Sequence, residues 1–164
     1  MSFLIKIISI LAMLVSLSAC TLNEYARQSP VADLPYQHSG FDFKVAWKTY
    51  PTDQGLNIEG LLKNVRYAQA ESVTLSVFLL NSENKVLASA STYPIPQTIK
   101  MDDYVPFDVV LINAAPKKGD RLKFLIDYKA QEGNNGASRW ISYFTVDEST
   151  GIEIKESIKH PDQW

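Results

Sequence analysis

From Phe41 to Lys48 the chain alternates: Phe41, Phe43, Val45 and Trp47 are interleaved with Asp42, Lys44, Ala46 and Lys48. A period of two places the large apolar set on one face of a β-strand and the other set on the opposite face. The pattern returns along the chain. Leu56, Ile58 and Leu62 form a second inward row, with Gly60 between them. Val73, Leu75, Val77 and Leu79 form a third, and its other face carries Phe78 and Leu80, as expected of a central strand covered on both sides. Val105, Phe107, Val109 and Leu111 make a further row, as do Leu122, Phe124, Ile126 and Tyr128. No stretch after Cys20 sustains a 3.6-residue apolar period, so the core is built from strands.

Turn chemistry separates the rows. Pro51 to Gly55, Asn81 to Asn84, Pro116 to Asp120 and Gly133-Asn134-Asn135-Gly136 read as hairpin loops and turns. Val86 to Tyr93 is a weaker strand, rich in Ala and Ser, closed by Pro94-Ile95-Pro96. Pro106, near the start of its row, points to an edge strand or to a first-residue position. Arg139 to Val146 gives the last strand, with Trp140, Ser142, Phe144 and Val146 on one face and Ile141 and Tyr143 on the other. Residues 64–72 and 157–161 have room for a helical turn each, and Ile152 to Ile154 for a short strand within a partly disordered tail. About seven short strands, with bulky inward rows that fill a layer about 10 Å thick, predict an all-β, two-sheet antiparallel sandwich; the tally alone also fits a small barrel.

The first 19 residues have another character. Lys6 and the initiator amine precede an apolar run from Ile7 to Val15, followed by Ser16, Leu17, Ser18, Ala19 and Cys20. A span across a hydrocarbon core about 30 Å thick takes about 20 apolar residues, and this run falls short. The layout is that of a secretory signal. Leu17-Ser18-Ala19-Cys20 resembles the lipobox of the bacterial lipoprotein family. The resemblance implies a diacylglyceryl group on the Cys20 thiol, cleavage between Ala19 and Cys20, and acylation of the new amino terminus. Two or more acyl chains anchor a protein stably. In a Gram-negative source, Thr21 in place of the aspartate that favours inner-membrane retention points to the outer membrane. Residues 20–40 are polar, with Pro30, Pro35 and Gly40, and read as a lipidated terminus and flexible tether reaching about 25 Å. The expected organisation is a signal over 1–19, a tether over 20–40, a sandwich over 41–148 and a tail over 149–164.

The run from Gly60 to Leu111 resembles the FxLYD-type immunoglobulin-like family of exported bacterial proteins. The shared features are Gly60-x-Leu62-x-Asn64, Val77-Phe78-Leu79-Leu80-Asn81, Lys85-Val86-Leu87 and Pro106-Phe107-x-Val109. In the naming motif, Val77 replaces Phe, Leu80 replaces Tyr and Asn81 replaces Asp. The resemblance implies an immunoglobulin-like fold and brings no activity with it.

Removal of the leader takes away Lys6, leaving 15 of the 16 basic residues against 18 acidic ones, a net charge of −3. That balance argues against nucleic acid as a partner and offers no polybasic helix for anionic lipid. Cys20 is the only cysteine, so the sandwich has no internal disulfide. Of the two histidines, His38 falls in the tether and His160 near the end; both are expected to be exposed and apart, which argues against a Ser-His-Asp arrangement. No zinc ligand set stands out, Asp102 and Asp103 lack the spacing of a calcium loop, and no cofactor is expected. Asp120 and Asp127 flank one strand. Lys117, Lys118, Arg121 and Lys123 read as a solvated strand face.

The remaining signal is aromatic. Tyr50, Tyr67, Tyr93, Tyr104, Tyr143 and Trp164 lie at strand ends or off the inward rows. Such rings either seal the rim of the sandwich or meet a partner. The expected function is a non-enzymatic binding or scaffolding module, held at the membrane by its lipid and engaging an envelope protein or cell-wall component. One alternative is carbohydrate or peptidoglycan binding through the exposed rings. Another is a hydrolase with two carboxylates in a shared cleft.

Overall fold

Each inward row becomes one strand, and the strands sort into two layers. The computed structural model describes residues 31, 33–131 and 136–155. Eight strands follow in order: β1 (Tyr36–Ser39), β2 (Phe43–Thr52), β3 (Gly55–Asn64), β4 (Ala70–Leu80), β5 (Val86–Thr92), β6 (Tyr104–Ile112), β7 (Arg121–Gln131) and β8 (Ala137–Asp147). One antiparallel sheet has the order β1-β2-β3-β6 and the other β5-β4-β7-β8. Hairpins join β2 to β3, β4 to β5 and β7 to β8, whereas the β3–β4, β5–β6 and β6–β7 connections cross between the layers. This is an immunoglobulin-like sandwich of the expected all-β class, without a helix among the described residues. No strand of one sheet is hydrogen-bonded to a strand of the other, so the sheets face each other as layers and do not close into a barrel.

The core is the sum of the inward rows. Trp47 is 1% exposed and lies 4.9 Å from Phe124 and 5.9 Å from Phe144, measured between ring centres. Phe124 and Phe144 stack at 4.8 Å, and Phe43 meets Tyr128 edge-on at 4.9 Å. Such pairs add about 0.5–1.5 kcal/mol each beyond the area they bury. Gly60 pairs with Trp47 on one side and Phe107 on the other. A Cβ there would stand 2.8 Å from the Phe107 ring, so only glycine lets both large residues flank β3.

Several boundaries differ from the sequence reading. Residues 36–39 fall in the expected tether, yet they form β1, in register with residues 44–47 of β2. The reason is aromatic: Tyr36 turns inward toward Trp47 at 5.8 Å, and His38 stacks on Phe144 at 3.8 Å. Phe41, expected to open the inward row, is 89% exposed, because the chain reverses at Gly40–Phe43 to bring β1 back along β2. Residues 64–72 hold no helical turn; bends lead into β4 at Ala70. The tail folds back at its start, where the Asp147 amide donates to Ile152 O at 2.9 Å and the Ile154 amide to Thr145 O at 2.8 Å. Strand β4 is central in its sheet, but among the described residues no further element covers its outer face, where Phe78 is half-buried. The leader with Leu17 to Cys20, the loop residues 132–135, His160 and Trp164 lie outside the described residues.

Candidate functional site

One end of the sandwich is built unlike the other. The loops at 40–42, 65–69 and 93–103 converge there, at the starts of β2, β4 and β6. Asn64, the last residue of β3, joins two of them and is fully buried. Its side-chain amide donates to Ala68 O and to Ile99 O, both at 2.9 Å, and its Oδ1 accepts from the Arg66 amide at 2.9 Å. Its main chain adds bonds to Asp102 and Asp103. A short polar side chain at a strand terminus thereby replaces the ladder bonds that the crossing loops give up.

Arg66 fixes the third loop. Its Nη1 donates to Asp42 Oδ1 and to the Tyr128 hydroxyl, each at 2.9 Å, and its guanidinium lies 4.2 Å from the Trp140 ring centre. Arg66 and Asp42 are both buried. Burial, with the Asp42 carboxylate beside it, pushes the Tyr128 hydroxyl up to about 12. The cluster ties the 40–42 and 65–69 loops to β7 and β8 through one buried ion pair.

On this scaffold the end presents apolar side chains. Phe41, Tyr67 (72% exposed), Tyr93, Ile95, Met101 and Tyr104 all stand out from it. Rings held outward by a rigid buried network have little conformational entropy left to lose on binding. Of the aromatics singled out in the sequence, Tyr67, Tyr93 and Tyr104 meet at this end, and the structure adds Phe41. Tyr50 sits toward the other end of β2, on the outer face of its sheet. Its hydroxyl donates to Glu59 at 2.8 Å and accepts from Asn57 at 2.5 Å, and Glu59 is also paired with Lys48 at 2.7 Å. Lys48 first, then the Tyr50 hydroxyl, holds the Glu59 carboxyl below its usual range. Tyr143 projects from the outer face of β8, where Lys123 lies 4.7 Å from its ring centre.

The titratable groups distribute as follows. His38 is not exposed as expected: its ring stacks on Phe144, and Nδ1 is 3.5 Å from Glu153. Burial lowers its pKa below 6.5, and Glu153 opposes that shift. Glu59 and Asp108 stand opposite each other across β3 and β6 on an outer sheet face. Asp102 pairs with Lys63 at 2.9 Å, Asp120 accepts from the Lys117 amide at 2.7 Å, and Asp127 is bound by Arg139. Arg121 donates to Asn84 at 2.8 Å, which uses part of the basic cluster locally. Among the described residues no group of three or more His, Cys, Asp or Glu side chains gathers to hold a metal ion. Sequence reading missed Asp42, Asn64 and Arg66 because each is a single polar residue in or beside a loop, and only the crossing of the sheets brings them inside. No protein-family model matches the chain, and no curated protein matches it.

Proposed function

We propose that this chain is a lipid-anchored protein of the bacterial cell envelope whose sandwich is a non-enzymatic binding module. The observation that carries the binding role is the rigid loop end: Phe41 and Tyr67 exposed on loops, and Tyr104 at the start of β6, around buried Asn64, Asp42 and Arg66. Exposed rings on a preorganised support suit a protein surface or the face of a sugar. The lipid anchor rests on Leu17-Ser18-Ala19-Cys20, and the polar residues between Cys20 and β1 are its proposed tether.

Two measurements test this reading. Cys20→Ala leaves the precursor unlipidated and moves the product out of the membrane fraction; retention there as before contradicts the anchor. Phe41→Ser combined with Tyr67→Ser removes two rings whose loss costs about 1 kcal/mol or more each in binding when they are anchors. Capture of an envelope protein or sedimentation with cell-wall sugar then falls sharply while the melting temperature is kept. Capture that is unaffected by both changes contradicts the site.

A further inference from the structure

Strand β1 is four residues long, and among the described residues β2 is its one hydrogen-bonded neighbour. So short a ladder holds a strand weakly. Two side chains of β1 add to it by reaching across the seam between the sheets. The Tyr36 hydroxyl donates to Ser149 O at 3.2 Å, and its ring lies where Gly151 has no Cβ to collide with it. His38 lies flat on Phe144 of β8, with ring centres 3.8 Å apart and planes 11° from parallel, and its Nδ1 is 3.5 Å from the Glu153 carboxylate. Ser149, Gly151 and Glu153 belong to the segment that the bridge between Val146 and Glu153 folds back onto β8. The chain entering the sandwich and the chain leaving it therefore hold each other.

The two hooks differ in chemistry. Tyr36 makes a neutral bond to a backbone carbonyl, whereas His38 can take up a proton. The elements packed on its imidazole present Phe144 from β8, Val45 from β2 and Glu153 from the tail, and Glu153 is the one charged group acting on it. The His38 side chain is 12% exposed and that of Glu153 is 48% exposed. A cation formed there gives up most of its hydration and regains only a carboxylate screened by water. The closed clasp favours the neutral ring.

We propose that the Tyr36/His38 clasp is an acid-released latch, in which protonation of His38 frees β1 from β2 and the tail while the rest of the sandwich stays folded. Release adds Tyr36–Ser39 to the segment between Cys20 and β2, about 13 Å of extended chain. It also uncovers the Trp47 and Phe144 rings, on which Tyr36 and His38 lie. The longer leash rests on the lipid anchor at Cys20; the release of β1 does not.

Amide hydrogen exchange tests the release in the full chain carrying Cys20→Ala and held in detergent. No acyl chain is present there, so a failed anchor and a failed latch give separate results. Rates are divided by the intrinsic rate at each pH, and β3 is the reference for global opening. From about pH 7.5 to about pH 5, exchange across residues 36–39 is expected to rise about threefold or more relative to β3. His38→Phe keeps a ring on Phe144 without a titrating group and abolishes the rise. Tyr36→Phe loses the other hook, speeds β1 exchange at both pH values and keeps the rise. Glu153→Gln removes the group that favours the cation and enlarges the rise. Circular dichroism checks that each variant is folded, and His38→Gln replaces His38→Phe if that chain is not. A flat ratio between the two pH values with His38 intact overturns the proposal. So does a rise that persists without His38, or one that β3 matches.

Discussion

Arg66 is held by Asp42 and Tyr128 and stacked on Trp140, so removal of a polar partner strands a buried cation. Asp42→Ala is expected to cost about 3–5 kcal/mol, read as a lower urea midpoint, and Asp42→Ala with Arg66→Met to recover much of that. Asn64→Ala leaves the Ala68 carbonyl and the Arg66 amide without their partner and the Ile99 carbonyl with the Ala70 amide alone, and a loss of about 2–4 kcal/mol follows by the same measurement. His38 supplies a pH dependence. Burial lowers its pKa in the folded state below 6.5, so the unfolded chain takes up the proton first. Its contribution to stability is complete above 6.5 and is lost as pH falls through the folded-state value. Urea midpoints measured between neutral and mildly acid pH should fall in the natural chain and fall less in His38→Gln. The inward placement of Asp42, Arg66 and His38 was not legible beforehand. A lone Asp, Arg or His in a polar segment has the same local pattern whether it is solvated or buried, and the difference lies in contacts such as that between Asp42 and Arg66, 24 positions apart.

At the scale of elements the sequence was far more open. Rows such as Leu122, Phe124, Ile126 and Tyr128 became inward faces because a period of two admits no other arrangement once one face is buried. Pro106 left an edge or a first-residue position open, and the sheet order resolves it as an edge strand, while the turn before β3 followed from backbone chemistry alone. Strand β1 escaped notice because four residues carry too little periodicity, and its place depends on Tyr36 and His38 reaching rings in β2 and β8. The same strand is clamped to the tail: the Tyr36 hydroxyl donates to Ser149 O at 3.2 Å, and Gly151, at φ 69°, leaves room for the Tyr36 ring. Gly60 gives a direct test of the sheet. Gly60→Ala drives a methyl into Phe107 and the β2 backbone, and a loss of about 1–3 kcal/mol is expected in equilibrium unfolding.

For the whole molecule, the fold and the loop end answer to different kinds of information. The fold is repeated seven times over in local patterns, while the loop end exists only where three connections meet. Tyr67, Tyr93 and Tyr104 stood out as rings off the inward rows, but their shared location depends on the topology, which sends Tyr50 and Tyr143 elsewhere. Address, tether and rigid aromatic end form one proposal: the domain is held at a membrane so that this end can engage an envelope component. Site-specific photocrosslinking in intact cells tests it most directly, with the photoreactive side chain placed at Tyr67 and, as a control, at exposed Ile112 on the opposite end. The account predicts a discrete adduct from position 67 and none from position 112. Absence of any adduct from position 67, or equal adducts from both ends, would contradict it.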